Sequence, residues 1–294
     1  MFPGFERRQF DAGDGTTING VVGGSGPPLL LLHGHPQSHV MWHKIAPRLA
    51  KRFTVVATDL RGYGDSSKPS GLADHSNYAK RAMAADQVAV MRSLGFERFN
   101  LCGHDRGARV SHRLAVDHPE CIEKLVLLDI SPTLAMYEQT TKLLATLYFH
   151  WFFLIQPKPL PETMIGANAD FYYKTVMGSR WGGLSVFAPE ALAEYARCWN
   201  RPETIHAMCE DYRAAASIDL EHDRADRDAG NKIRCPLLVL WGANGVIEKC
   251  FQPLDDWARV AADVRGHSVA SGHYIPEEIP IQLADELEAF FESA

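Results

Sequence analysis

The chain has 294 residues, of which 46% are hydrophobic and 22% charged, and its formal net charge is −6. This composition is typical of a globular protein with a sizeable core, and it excludes disordered, collagen-like and coiled-coil chains. The negative charge provides no basic surface for nucleic acid or an anionic membrane. No apolar run approaches the roughly 20 residues of a transmembrane helix, and residues 1–8 (MFPGFERR) lack the apolar segment of a signal peptide. We therefore expect a cytoplasmic protein.

The first half of the chain alternates predicted strands with predicted helices. Apolar and β-branched runs predict strands at residues 17–22, 28–33, 54–58, 99–103 and 124–129. The continuous leucine run of residues 28–33 is typical of a strand buried on both faces. Helical spacing predicts one helix over residues 82–94 and another that ends near Ala115. Strands separated by helices favour a mostly parallel sheet that is flanked by helices.

The alternation stops between about residue 132 and residue 222, where the chain is rich in aromatic residues and has no clear strand. Strand patterns return at residues 236–241 and 266–270, and a last helix is predicted over residues 281–291. We therefore predict an α/β core made of residues 1–134 and 223–294. Residues 135–222 are predicted to be inserted into this core as a helical cap.

The segment Phe99–Gly107 has the pattern of a strand, a tight turn and a helix. Gly103 and Gly107 permit a turn in which a Cβ would clash. The turn raises the Asp105 side chain above the sheet, at a helix N-terminus where unpaired amides favour negative charge. A carboxylate is already ionised at neutral pH, and it can displace a leaving group from a saturated carbon to form an ester. The alternative is an aspartate that only caps the helix.

Three motifs make the chain resemble the Asp-nucleophile branch of the α/β-hydrolase superfamily, which contains haloalkane dehalogenases, haloacetate dehalogenases and epoxide hydrolases. They are Leu32–Pro36 (LHGHP), Asp59–Gly64 (DLRGYG) and Gly103–Arg109 (GHDRGAR). The third motif is most similar to fluoroacetate dehalogenases, because the other two enzyme groups usually place Trp where this chain has Arg106. The resemblance covers nearly the whole chain and implies an α/β-hydrolase fold with an inserted cap.

A general base and an acid that orients it are expected after the nucleophile. His273 follows the last predicted strand, and its imidazole is suited to take a proton from water at neutral pH. Asp129 is predicted to hold this ring and stabilise its cation, because the resembled fluoroacetate dehalogenases carry their acid in a similar Leu-Asp-Ile context. Glu248 is the second candidate for the acid. The alternatives are a histidine in a surface loop and an aspartate that begins a turn.

Arg106 and Arg109 lie one helical turn apart just after Asp105, so they face the same side of the predicted helix. The positive helix end disfavours cations there. A substrate carboxylate bound in a bidentate fork would offset this cost and would fix the α-carbon beside Asp105. The implied substrate is a short 2-halo acid. The alternative is that both arginines form structural salt bridges.

The resemblance also assigns residues around the leaving group. His150, Trp151 and Tyr212 match residues that donate hydrogen bonds to the halogen, and Trp181 is a candidate for the pocket wall. The backbone N–H groups of His35 and Arg106 are the expected oxyanion donors. His35 departs from the family, which usually has Phe at this position. The alternative for the aromatic residues is the packed core of the cap.

No metal or cofactor is predicted. The histidines near the first motif lack a carboxylate or cysteine at ligand spacing, and no CxxC, GxGxxG or P-loop pattern occurs; these histidines are His33, His35, His39 and His43.

Taken together, the motifs and the resemblance predict a haloacetate dehalogenase in which Asp105 displaces the halide from fluoroacetate, chloroacetate or another short 2-halo acid. Water activated by His273 then releases glycolate.

Two other functions stay open at this stage. An epoxide hydrolase would use the same aspartates and histidine, but an epoxide has no carboxylate for the two arginines. A small-acid sensor would keep the pocket without turnover. The oligomeric state is also left open, a homodimer included.

Overall fold

A computed structural model describes residues 1–293, and an eight-stranded sheet forms its centre. The strands are β1 (Phe5–Asp11), β2 (Thr17–Gly23), β3 (Pro28–Leu32), β4 (Thr54–Thr58), β5 (Phe99–His104), β6 (Ile122–Leu128), β7 (Leu237–Gly242) and β8 (Val264–Val269). Their order in the sheet is β1-β2-β4-β3-β5-β6-β7-β8, and the pairs from β4 to β8 are parallel. The predicted mostly parallel sheet is confirmed.

Fifteen α-helices lie within the described residues 1–293. Before β6 these are α1 (Ala46–Leu49), α2 (Lys80–Ser93) and α3 (Arg106–Asp117). Between β6 and β7 lie α4 (Thr133–Glu138), α5 (Lys142–Leu147), α6 (Phe149–Phe153), α7 (Leu160–Gly166), α8 (Ala169–Gly178), α9 (Pro189–Trp199), α10 (Pro202–Ala215) and α11 (Ile218–Ala229). After β7 come α12 (Val246–Cys250), α13 (Pro253–Ala258), α14 (Ile275–Glu278) and α15 (Pro280–Glu292). Short 3₁₀ helices lie at His39–Trp42, Ser76–Tyr78, Pro119–Cys121 and Gly183–Val186.

The segment between β6 and β7, residues 129–236, is here called the insertion. It holds α4 to α11 and no strand, so the predicted helical insertion is present. The proposed division at residues 134 and 223 stays a prediction. None of the helices within residues 1–293 combines the length and the apolar character needed to cross a bilayer.

The carboxyl ends of the parallel strands place the residues of interest at one edge of the sheet. Strands β5 and β7 are buried along their whole length, as expected for strands covered on both faces. Asp105 follows β5 directly and Asp129 follows β6 directly. Parallel sheets of this kind bind their ligands outside the carboxyl ends of the strands.

Strand β1 is a difference from the sequence prediction, which begins the sheet at residue 17. Phe5–Asp11 pairs antiparallel with β2 at the edge of the sheet, and most of its side chains are exposed. An edge strand with polar residues on both faces lacks the apolar alternation that identifies a strand in a sequence.

Candidate active site

Asp105 lies in a tight turn between β5 and α3. Its backbone has φ 46° and ψ −112°, a conformation that non-glycine residues rarely adopt and that places strain in the turn. A Cβ on Gly103 would lie 2.4 Å from the Oγ of Ser111, and one on Gly107 would lie 2.4 Å from the carbonyl oxygen of His33. The glycines are therefore required by the close packing of the strand, the turn and the helix.

The Asp105 carboxylate is buried, but it does not cap α3. Asp105 occupies the N-cap position without a side-chain capping hydrogen bond, and its Oδ2 instead accepts a 2.9 Å bond from the backbone N–H of His35. Burial raises the pKa of this carboxyl, but the neighbouring His273 and His104 imidazoles and the Arg106 and Arg109 guanidinium groups lower the pKa by more, to well below its ordinary value. The group is therefore ionised at neutral pH.

Asp129 and His273 form a hydrogen-bonded pair at the same edge of the sheet. The Asp129 Oδ2 lies 2.6 Å from the His273 Nδ1, and its Oδ1 accepts a 2.9 Å bond from the backbone N–H of Gly242. When Nδ1 donates to the carboxylate, Nε2 is the nitrogen that is left to take a proton. The imidazole of His104 packs 4.7 Å from that of His273 and bonds to its carbonyl oxygen at 2.7 Å, which fixes the loop.

Glu248, the second candidate for the acid, is exposed and accepts a hydrogen bond from the indole N–H of Trp241. Asp129 is the carboxylate that bonds to the His273 ring. The geometry therefore favours Asp129 over Glu248 as the orienting acid.

Arg106 is fully buried in a network of charged groups. Its Nε and Nη2 bond to the two carboxylate oxygens of Asp211 on α10 at 2.9 and 2.7 Å. The same carboxylate accepts from the hydroxyl of Tyr63 at 2.6 Å and from the ammonium of Lys80. Burial lowers the pKa of Arg106, but the charge of Asp211 raises it by more, to well above the ordinary value. The bidentate fork predicted for a substrate is thus already filled by Asp211, and Nη1 is the buried nitrogen without a partner.

Arg109 is also buried but has no carboxylate partner within the described part of the chain. Its Nη1 bonds to the hydroxyl of Thr133 at 2.9 Å, its Nη2 lies 3.0 Å from the sulfur of Met136, and its Nε is buried without a partner. Burial and the neighbouring charge of Arg106 lower the pKa of Arg109 to about 10. Each arginine therefore keeps one buried nitrogen that has no hydrogen-bond partner within residues 1–293.

The aromatic residues of the insertion pack directly on the two arginines. The Arg106 guanidinium lies 4.2 Å from the ring centre of Tyr212, and that of Arg109 lies 4.6 Å from the ring centre of Trp151. The ring of Tyr212 is 5.8 Å from that of His150 and 6.2 Å from that of Trp151. The structure thus brings the three predicted halide donors together beside the arginines.

The hydroxyl of Tyr212 is buried without a hydrogen-bond partner. Burial, followed by the charge of Asp105, raises the pKa of Tyr212 well above its ordinary value, so the hydroxyl keeps its proton. Burial, followed by the charge of Arg180, lowers the pKa of His150 well below its ordinary value. The Nη2 of Arg180 lies 3.5 Å from the Nδ1 of His150, which favours the tautomer with its proton on Nε2.

Trp181 is placed differently from the other predicted residues. Its side chain is 51% exposed, and its Cβ lies 2.9 Å from where a Cβ on Gly272 would be. It therefore lies beside the loop that carries His273, with half of its surface in solvent. Its role in a pocket wall stays a prediction.

Asp211, Lys80 and Arg180 were not predicted from the sequence. Asp211 precedes the predicted Tyr212, but the neighbouring Glu210 is also acidic, so the sequence does not single out Asp211 as the buried partner of an arginine. Lys80 and Arg180 have no sequence signal either, because their contacts depend on how the insertion folds over the sheet.

The histidines near the first motif are held by hydrogen bonds or by packing. His33 bonds to Gly34 and Leu60, His39 to Asp59, and His43 to Val40.

A second group of potential metal ligands consists of Glu162, His206 and Glu210, whose ligand atoms lie within 4.8 Å of one another. Arg213 lies 2.7 Å from both carboxylates of this group. We assign this second group to an ion-pair cluster.

The chain matches a known protein family over most of its length. The sequence model of the α/β-hydrolase fold matches residues 27–278. The chain belongs to the α/β-hydrolase family. The match begins before β3 and ends within α14, so it includes the turn of Asp105 and the loop of His273 in this α/β hydrolase.

Individual relatives are similar over the full length of this α/β hydrolase. It is 49% identical to a fluoroacetate dehalogenase of Burkholderia sp. over 296 residues, which covers 100% of this chain and 96% of that protein. It is 33% identical to a soluble epoxide hydrolase of Corynebacterium sp. (strain C12), over 95% of this chain and 94% of that protein. The crystal structure of a proposed α/β hydrolase from Nostoc sp PCC 7120 has a TM-score of 0.97 and 55% identity, over 100% of both chains.

Proposed function

We propose that this α/β hydrolase is a haloacetate dehalogenase, which converts fluoroacetate, and also chloroacetate or another short 2-halo acid, to glycolate and halide. The proposal is carried by one observation. A buried carboxylate that caps no helix, Asp105, follows the sheet beside two buried arginines, Arg106 and Arg109, each with one unpartnered N–H. The similarity to a fluoroacetate dehalogenase supports the same conclusion.

In the first step, an Asp105 oxygen attacks C2 of the haloacetate on the side opposite the halogen. The new C–O bond forms while the C–halogen bond breaks, and the halide leaves with the bonding electron pair. His150, Trp151 and Tyr212 would donate hydrogen bonds to the halide as its negative charge develops. Fluoride depends most on such donors, because it is a poor leaving group.

The two arginines would orient the substrate for this attack. In these two side chains, the Nη1 of Arg106 and the Nε of Arg109 are the nitrogens without partners, so each would bond to the substrate carboxylate. Binding an anion there offsets the cost of holding an unpaired arginine in the interior. A carboxylate fixed in this way holds C2 next to Asp105, which supplies the orientation that the displacement needs.

In the second step, the Nε2 of His273 takes a proton from water, and the oxygen of that water adds to the carbonyl carbon of the Asp105 ester. The N–H groups of His35 and Arg106 would stabilise the oxyanion; His35 already donates to this carboxylate, and Arg106 begins α3, where backbone N–H groups have no helical partner. The intermediate collapses, and glycolate leaves with the proton held by His273. Asp105 is then a carboxylic acid, and it loses its proton to water through His273, which regenerates the carboxylate. Asp129 stabilises the imidazolium in between.

The test is halide release from fluoroacetate and from chloroacetate by the wild-type enzyme and by Asp105→Asn. We expect both halides to be released by the wild type and neither by the variant, because an amide oxygen is a poor nucleophile. Circular dichroism and thermal unfolding would verify that the variant folds. Release of diol from an epoxide such as styrene oxide, with no halide from either acid, would contradict the proposal. Binding of haloacetate without any product would indicate a sensor instead.

A further inference from the structure

The His35 side chain is a buried polar group that the proposed reaction does not yet use. Its backbone N–H bonds to Asp105, but both nitrogens of its ring are buried without a partner within residues 1–293. Burial lowers the pKa of His35 to about 3, so the ring is neutral at neutral pH and offers one N–H donor and one acceptor. A phenyl ring, which the resembled enzymes usually have here, would fill the space without unpaired polar atoms.

The ring of His35 packs next to the rings of two proposed halide donors. It lies 6.0 Å from the ring of His150, nearly parallel to it, and 5.1 Å from the ring of Tyr212, nearly perpendicular to it. The rings of His150 and Tyr212 are 5.8 Å apart, so the three rings form a triangle with nearly equal sides. The hydrogen bond from the His35 backbone N–H to Asp105 holds the His35 corner of this triangle next to the proposed nucleophile.

A buried donor without a partner destabilises the protein until a ligand supplies an acceptor. No group within residues 1–293 supplies one. The other aromatic rings that pack on His35 are those of Tyr63 and Tyr173, at 6.3 and 5.7 Å. The hydroxyl of Tyr63 already donates to Asp211, and that of Tyr173 is itself unpartnered. The acceptor is therefore to be sought in the substrate.

We propose that the His35 imidazole is a fourth hydrogen-bond donor to the departing halide, added to His150, Trp151 and Tyr212, and that it selects for fluoride. This inference rests on the proposed dehalogenase function. As the carbon–halogen bond breaks, the ring N–H meets the negative charge that develops on the halogen, and no proton is transferred. Fluoride benefits most, because its charge is the most concentrated and it accepts the strongest hydrogen bonds.

The test compares kcat/KM for fluoroacetate and chloroacetate in His35→Phe, since kcat/KM includes all steps up to the breaking of the carbon–halogen bond. We expect kcat/KM to fall about tenfold for fluoroacetate, the size of one hydrogen bond of about 1.4 kcal/mol, and less than threefold for chloroacetate. His35→Gln, which keeps an N–H donor, should retain more of the fluoroacetate activity than the Phe variant. Inhibition by free fluoride should weaken about tenfold in the Phe variant as well.

Tyr173→Phe is the matched control, because it also removes an unpartnered buried polar atom next to His35 without changing the ring. It should leave both kcat/KM values within twofold of the wild type. Equal losses for the two substrates in His35→Phe, or no loss for either, would overturn the inference while leaving the dehalogenase function intact. A wild-type enzyme that releases no halide would instead refute the proposed function itself.

Discussion

The two halves of the candidate site differ in how many of their polar atoms already have partners. In the half at the sheet edge, Asp105 accepts from a backbone N–H, and Asp129 bonds both to the His273 ring and to a backbone N–H. In the half that faces the insertion, several buried polar atoms have no partner within residues 1–293. They are Nη1 of Arg106, Nε of Arg109, the hydroxyl of Tyr212 and the ring nitrogens of His35.

In the proposed reaction, this difference separates the groups that make and break bonds from the groups that bind the substrate. The sheet-edge half is assembled by the backbone and needs no ligand to reach its geometry. The half that faces the insertion leaves buried polar groups without partners, which lowers the stability of the protein. A small bound anion would accept hydrogen bonds from these groups. Variants in the first half should therefore change the rate of the chemistry, and variants in the second half should change binding, halide preference or stability.

The largest effect is expected for His273→Gln. Without the base, water is not activated, so we expect the Asp105 ester to persist and turnover to fall by about 10²–10⁴-fold. Mass spectrometry of the variant after exposure to fluoroacetate should show the added mass on the peptide that contains Asp105. One equivalent of fluoride should still be released per active site. A variant that turns over at the wild-type rate would remove His273 from the mechanism.

The next largest effect is expected for Asp129→Asn, compared with Glu248→Gln. The amide at position 129 stabilises the imidazolium of His273 poorly and favours the wrong tautomer, so kcat should fall by about 10²–10⁴-fold. Glu248→Gln should change kcat by less than threefold, because Glu248 is exposed and bonds to Trp241. Steady-state halide release measures both, and the opposite ranking would reassign the orienting acid.

A smaller effect on turnover, but a large one on stability, is expected for Asp211→Asn. Removing this charge leaves Arg106 buried without its carboxylate and leaves Lys80 paired only with Asp219, at 3.3 Å. This should lower the free energy of unfolding by about 3–5 kcal/mol at neutral pH. Urea denaturation measures this. Asp170→Asn is the control, since Asp170 pairs with Lys174 on the surface and should change stability by less than about 1 kcal/mol.

The Asp211 effect should also depend on pH in a defined direction. Burial raises the pKa of Asp211, but Arg106 and Lys80 lower it by more, so the folded-state pKa lies below the unfolded value of about 3.9. The carboxylate therefore stabilises the protein fully above about pH 4, and this stabilisation is lost as the pH falls through the folded-state pKa. The Tm values of the wild type and of Asp211→Asn should converge in acid. A difference that stays constant from pH 7 down to pH 2 would contradict the network.

The smallest effect is expected for Trp181→Ala. Half of this side chain is in solvent, so its loss should change kcat/KM for fluoroacetate by less than threefold. Phe171→Ala, at another exposed aromatic residue of the insertion, gives the background effect of such a change. A tenfold rise in KM for Trp181→Ala alone would show that the indole closes over the substrate.

Much of the core could be predicted from the sequence, because its signals are local. The strand at Thr54–Thr58 has the predicted bounds, since four of its five residues are β-branched. Asp105 could be placed because two glycines mark the turn, and Asp129 because it ends an apolar strand. The α/β-hydrolase fold is confirmed, whereas the roles of these site residues stay predictions.

The insertion could not be predicted at the same level. The Arg106–Asp211 pair joins residues that are 105 positions apart, and it depends on which face of α10 turns toward the sheet. Aromatic residues are spread over the whole insertion, so their pattern does not show which ones pack in a core and which ones line a site. Trp181 and Trp151 have the same residue type, yet one is half exposed and the other is buried.

The network of Arg106 has a consequence for the charge balance of the proposed reaction. On this side of the site, the carboxylates of Asp105, Asp211 and Asp219 match the cations of Lys80, Arg106 and Arg109 in number. A bound haloacetate adds one excess negative charge, and the displacement moves it onto the halide without changing the total. Departure of the halide then restores neutrality. The fixed charges thus favour expulsion of the first product before water attacks the ester.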